Sequence, residues 1–159
     1  MKKIVLTSIL GLLSTIALNA SDCIMAKELN VQFVNDSTTY ETHNEVIKIE
    51  EYAKFLKESD LYAVIEGHTN HYAPAKYNYE LSTKRAEKVK NELISLGVSS
   101  SKIKSLGFGE SSPLYDNSTV DGADKNRRVV GEIFNTEEQL NNYVNSAQTK
   151  IAERKYQEQ

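Results

Sequence analysis

The chain has 159 residues, 40% of them hydrophobic and 26% charged, with seven Gly, two Pro and a formal net charge of −3. This composition suits one folded domain with a core of its own and excludes the disordered and collagen-like classes. The acidic balance excludes an electrostatic footprint for nucleic acid, and a single cysteine, Cys23, excludes an intrachain disulfide.

At the N-terminus Lys2 and Lys3 precede an apolar run, Ile4 to Leu18, that closes on Leu-Asn-Ala. That pattern predicts a secretory signal peptide over residues 1–20, cleaved after Ala20. Thr7, Ser8, Ser14 and Thr15 interrupt the run, which is shorter than the roughly 20 apolar residues that cross a bilayer. Cys23 raises the alternative of a lipidated terminus, but Asp22 stands before it where Gly or Ala is usual, so a mature chain starting at Ser21 is expected. Loss of Lys2 and Lys3 takes the net charge from −3 to −5. Residues 21–28 are read as an N-terminal segment, and no β-barrel is expected before Leu29.

The rest alternates strand and helix signals. Leu29 to Val34 reads as a first strand, followed by the polar turn Asn-Asp-Ser-Thr-Thr-Tyr. From Asn44 to Glu58 the apolar residues Val46, Ile47, Ile49, Ala53, Phe55 and Leu56 recur at helical intervals. Leu61 to Gly67 alternates as a second strand. The next helix is predicted over Asn78–Leu96, because Ala86, Val89, Leu93 and Leu96 are spaced three, four and three apart and Gly97 follows as a stop. Ile103 to Phe108 gives a third strand, then comes a loop rich in Ser, Asn, Asp and Gly, then Arg127 to Phe134 as a fourth. Leu140, Tyr143, Val144, Ala147 and Ile151 mark one face of a tail helix over 136–159.

The loop between the second strand and second helix is where α/β units place their sites. Arg85 falls on the rim of the apolar stripe of that helix, so a cation there wants an anion. Glu66 or Glu80 could supply it as an ordinary rim ion pair. Other chemistry is weaker. His68 and His71 are three apart but lack a third ligand of suitable spacing, so no metal is expected. Ser99 to Lys102 and Ser101 to Lys104 each spell S-x-x-K without the companion motifs of penicillin-recognising hydrolases. Gly107 and Gly109 make a G-x-G without the third glycine of a nucleotide cradle. No cofactor and no enzymatic activity are expected.

Several blocks in order, "VIEGHTN", "YNYELSTKRAEKVKNELISLGV", "KIKSLGFGESSP" and "DKNRRV", resemble the OmpA-like peptidoglycan-binding domain family over about Val31 to Ile133. The resemblance implies an α/β fold of the α+β sandwich kind. It is a mixed sheet with helices packed on it, in the order β-α-β-α-β-β over 29–135, with the tail helix added. It also implies a non-catalytic envelope module that grips diaminopimelate of peptidoglycan stem peptides, whose free end bears an ammonium and a carboxylate on one carbon. By position Arg85 matches the arginine that takes the carboxylate, and its planar fork suits two parallel bonds. Asn70 stands where the family Asp receives the ammonium, so an acceptor oxygen is kept and the charge is lost. Ala73, followed by Pro74, replaces a family Gly. Phe33 matches an aromatic near the ligand, Thr69 belongs to the same block as Asn70, and Val34 stands where Asp or Asn is common. Asn78 is expected to organise the helix start, and Leu81 to lie in the core. Of Arg127 and Arg128, one is expected to be a structural ion-pair partner and one an edge of the site, and Arg127 is taken with the ligand residues. The mature chain is expected in the periplasm, free or held at the outer membrane. The alternative is an envelope assembly domain whose peptidoglycan site has decayed and whose tail helix contacts a protein partner.

Overall fold

A computed structural model describes residues 27–153 of the chain. The expected signal peptide over 1–20, the residue Cys23 and the last residues of the tail, 154–159, lie outside the described residues. Strands β1 (Asn30–Gln32), β2 (Tyr62–Gly67), β3 (Ile103–Gly107) and β4 (Arg128–Phe134) form one sheet in the order β1-β4-β2-β3. Four helices connect and flank them: α1 (Asn44–Ser59), α2 (Ala75–Ser95), α3 (Val120–Asn126) and α4 (Glu137–Glu153). The β2/β3 pair is parallel and β4 is antiparallel to both β1 and β2. The last strand therefore slots into the middle of the sheet, and the expected mixed α/β architecture is the observed one.

Alternation along the strands sorts side chains onto two faces. On one face Val31, Ala63, Ile65 and Val129 pack with Ile49, Tyr52 and Ala53 of α1 and Ala86, Val89 and Leu93 of α2. On the other, Val64 and Leu106 meet Leu140, Val144 and Ala147 of α4, with Tyr62, Phe108, Phe134 and Tyr143 around them. Both faces of β2 are thus covered, which explains its almost unbroken apolar run. The apolar face of α4 is spent on the chain's own sheet. A protein partner of the tail helix would therefore meet its other faces: burial of Leu140 alone, which has no exposed surface, stabilises the fold by about 1.5–3 kcal/mol.

Two boundaries differ from expectation for physical reasons. Helix α2 starts at Ala75, with Pro74 as its N-cap at φ −54° and ψ 141°. Asn78 is therefore already in its first turn. Helix α3 interrupts what reads as loop. Its start is capped by the Thr119 hydroxyl, which accepts from the Gly122 backbone N–H at 3.0 Å, but in seven residues it carries too few apolar positions to set up a period. Helix α2 lies unusually close to the ends of β2 and β3. A Cβ at Gly67 would fall 2.0 Å from the Ser82 carbonyl oxygen, and one at Gly107 2.2 Å from the Thr83 hydroxyl. These two glycines let the helix press on the strand ends, and the loop that leaves Gly67 is held directly over them.

Candidate ligand-binding site

Beyond Gly67 the chain is tied down residue by residue. The backbone N–H of His68 donates to the Arg128 carbonyl and that of Thr69 to the Gly109 carbonyl, both at 2.9 Å. The Asn78 side-chain amide donates to the Ala73 carbonyl at 2.8 Å and to Glu110 at 2.6 Å. Asn78 thereby closes the loop from inside the helix, a positioning role for the residue expected to organise the helix start.

These constraints shape a cavity of about 390 Å³ between the loop, the first turns of α2 and the β1–α1 connection. Its walls are Asn35, Asp36, Thr69, Asn70, Tyr72, Ala73, Pro74, Tyr77, Asn78, Leu81, Arg85 and Arg127. Four of the five expected ligand residues, Thr69, Asn70, Arg85 and Arg127, come together here. Phe33 does not line the cavity: it is fully buried behind the site, with the Arg85 guanidinium over its ring at 5.1 Å. Leu81, expected in the core, lines the cavity instead and is only partly buried.

Arg85 corrects the rim expectation. It has no exposed surface, and neither Glu66 nor Glu80 is its partner. Its Nε donates to the Ser37 carbonyl at 2.9 Å and its Nη2 to the Val34 carbonyl at 3.0 Å, so the guanidinium clamps the β1–α1 loop onto α2. The remaining nitrogen, Nη1, is buried without a protein partner. Burial, reinforced by the charge of Arg127, lowers the Arg85 pKa to about 10, which leaves it cationic at neutral pH. Glu66 faces the other side of the sheet, where it accepts from the Tyr143 hydroxyl at 2.5 Å.

Arg127 combines both roles that had been divided between two arginines. Its Nε donates to the Phe33 carbonyl at 3.2 Å, it pairs with Asp124, and it still forms part of the cavity wall. Arg128 instead donates to the Ser112 carbonyl at 3.2 Å and to Asn126 Oδ1 at 3.3 Å, holding the segment that follows β3. Asn70 is 5% exposed; its Oδ1 accepts from the Tyr72 backbone N–H at 3.4 Å and its Nδ2 has no partner. The Thr69 hydroxyl, also buried, is unpartnered as well. Three residues of the cavity wall, Thr69, Asn70 and Arg85, thus each carry one buried polar atom without a partner inside the chain, an arrangement that costs stability.

Sequence reasoning missed Asp36 and Tyr77. Asp36 adopts a left-handed backbone at φ 51° and accepts from the Tyr77 hydroxyl. The two are 41 residues apart, and nothing local announces the contact. The histidines part company: His68 is buried and stacks on Phe108 at 5.4 Å, whereas the exposed His71 packs against Tyr72 at 4.6 Å. Burial lowers the His68 pKa despite Glu66 nearby. Lys102 reaches the Asp60 carbonyl at 2.9 Å while Ser99 bonds Ser101, so the first S-x-x-K string assembles no serine–lysine pair.

A central antiparallel strand inserted beside a parallel pair, helices on both faces and a donor-rich cavity at a strand–loop–helix junction define a small α/β binding domain. The chain belongs to the OmpA family, whose profile matches residues 32–127. It is 35% identical over 111 residues to outer membrane porin F of Pseudomonas fluorescens, an alignment covering 69% of this chain and 34% of that protein. It is 40% identical over 79 residues to the peptidoglycan-associated lipoprotein of Buchnera aphidicola, covering 49% of this chain and 46% of that one. In structure it resembles the peptidoglycan-associated lipoprotein of Burkholderia pseudomallei, with a TM-score of 0.64 at 26% identity over 74% of this chain and 98% of that one. The chain spans about a third of the length of the porins it matches.

Proposed function

We propose that this chain is a non-catalytic peptidoglycan-binding module of the bacterial cell envelope that holds the diaminopimelate end of a stem peptide in the cavity beside α2. The observation that carries the reading is that Thr69, Asn70, Arg85 and Arg127 line one cavity, and that the first three each hold a buried polar atom without a partner in the chain. Arg85 is oriented by two carbonyl bonds and offers its free nitrogen to the ligand carboxylate. Arg127 adds a second positive charge to the wall. The likeness to peptidoglycan-associated lipoproteins supports the same ligand class. Such a module works by attachment: it tethers whatever envelope component carries it to the wall, from the periplasm or from the outer membrane. The test is cosedimentation of the purified mature chain with sacculi. The chain should pellet with them, and a chain that stays in the supernatant at every salt concentration would refute the proposal.

A further inference from the structure

The mouth of the cavity is aromatic. Tyr72 and Tyr77 both line it, and they are 63% and 42% exposed. One exposed ring is ordinary on a protein surface, but here two border a single opening, and the exposed His71 packs on Tyr72 at 4.6 Å. Tyr77 is committed, since its hydroxyl donates to Asp36. Tyr72 is braced from the backbone instead. The carbonyl of its neighbour Ala73 accepts from the Asn78 amide at 2.8 Å, and Pro74 follows as the N-cap of α2. The ring therefore stands at the opening on a fixed loop, wide open to solvent, with few torsions left to order when something covers it.

The size of the cavity says what meets that ring. About 390 Å³ lies near the lower end of the roughly 300–1,000 Å³ of small-molecule sites, which gives room for the end of a stem peptide but not for the sugars that carry it. In peptidoglycan an alanine and a γ-linked glutamate separate diaminopimelate from N-acetylmuramic acid, so an extended stem puts the first sugar about 10 Å from the residue in the cavity. The sugar is left outside, at the lip. A pyranose with mostly equatorial substituents has a face of C–H bonds, apolar and weakly positive, that matches the negative face of a tyrosine ring. Its lactyl carboxyl is in amide linkage with the stem, so it calls for apolar contact and no counter-ion. Resting on the peptidoglycan reading above, we infer that Tyr72 is a sugar platform: its ring stacks on the N-acetylmuramic acid whose stem peptide fills the cavity, and the site prefers a glycan-borne stem to a free one. The methyl group of the stem alanine is the other apolar group within the same reach, and the test separates the two.

The test is calorimetry of the mature chain with two soluble probes: the tripeptide alanyl-γ-glutamyl-diaminopimelate, and the same tripeptide carried on N-acetylglucosaminyl-N-acetylmuramic acid. The sugar-borne probe should bind about fivefold more tightly, the size of a favourable aromatic contact. In Tyr72→Ala that ratio should fall to about one, whereas Tyr72→Phe, which keeps the ring, should keep it. The side chain is exposed, so both variants should retain the wild-type urea midpoint. Equal affinity of the two probes for the wild type would overturn the inference while leaving peptidoglycan binding intact. A ratio that survives in Tyr72→Ala would also overturn it, and a parallel fall in both affinities there would put the ring on the stem alanine instead. Loss of the ratio in Tyr72→Phe would assign the gain to the hydroxyl and overturn the stacking. If only the sugar-borne probe bound, and Tyr72→Ala released it, the platform would stand and the diaminopimelate reading would fall. Failure of both probes with sacculi still bound would overturn the inference alone, and failure of both probes and of sacculi would overturn the underlying reading as well.

Discussion

Replacing Arg85 by Ala removes a clamp as well as a ligand group. The side chain donates to Ser37 and Val34 carbonyls at 2.9 and 3.0 Å and rests on Phe33. Bonds from a charged donor are each worth about 1.5–3 kcal/mol, and the carbonyls left behind lose a buried partner. Against this, removal relieves the burial of a guanidinium beside Arg127, the causes that lower its pKa. The net loss should be about 2–4 kcal/mol, well above the ~1 kcal/mol ceiling of an exposed ion pair. Urea unfolding, with the slope checked for two-state behaviour, measures it. Arg85→Met fills the space without bonding and separates lost hydrogen bonds from an empty cavity. Both variants should also lose sacculus binding. A stability loss below about 1 kcal/mol in Arg85→Ala would mean that the β1–α1 loop does not depend on this residue, and the clamp would be refuted.

Asn70→Asp should tighten binding of the free-amine stem peptide about fivefold, a gain that shrinks in high salt; calorimetry showing no gain would deny Asn70 a place beside the amine. Gly67→Ala should destabilise by about 1–3 kcal/mol, since its Cβ would sit 2.0 Å from the Ser82 carbonyl, and a neutral substitution in chemical unfolding would contradict the close approach. For His68 the folded pKa is depressed by burial, so its stability contribution is complete above the unfolded value of about 6.5 and is lost as pH falls below it. Urea midpoints of the wild type and His68→Phe, compared at pH 7.5 and 5.5, should move in the variant's favour on acidification; a pH-independent difference would show that His68 takes up its proton without opposing the fold.

How much of this was legible depends on how local the cause is. The three, four, three spacing of Ala86, Val89, Leu93 and Leu96 marks α2 because one helix face is buried along its length. The same wheel put Arg85 at the rim, and the error has a definite origin: the loop carrying Val34 and Ser37 folds over that side of the helix, about 50 residues away in sequence. Asp36 and Tyr77 were invisible for the same reason. Helix α3 went unread because a hydroxyl cap and a few polar turns create no hydrophobic period. The four residues that gather at the cavity were named from the resemblance of "VIEGHTN", "STKRA" and "NRR" to a family pattern, since periodicity has no means of bringing Arg127 beside Arg85. The contact of the Asn70 Oδ1 with the Tyr72 N–H is a detail of loop geometry that no residue type encodes.

The central claim, that a stem peptide is held beside α2, is tested most directly by mapping backbone amide shifts while the isotope-labelled mature chain is titrated with a diaminopimelate-containing stem peptide. Saturable shifts should concentrate at Thr69 to Tyr77, at Asn35 to Ser37 and around Arg85 and Arg127, and disappear in Arg85→Met. Shifts confined to α4, or none at all up to saturating peptide, would contradict the account.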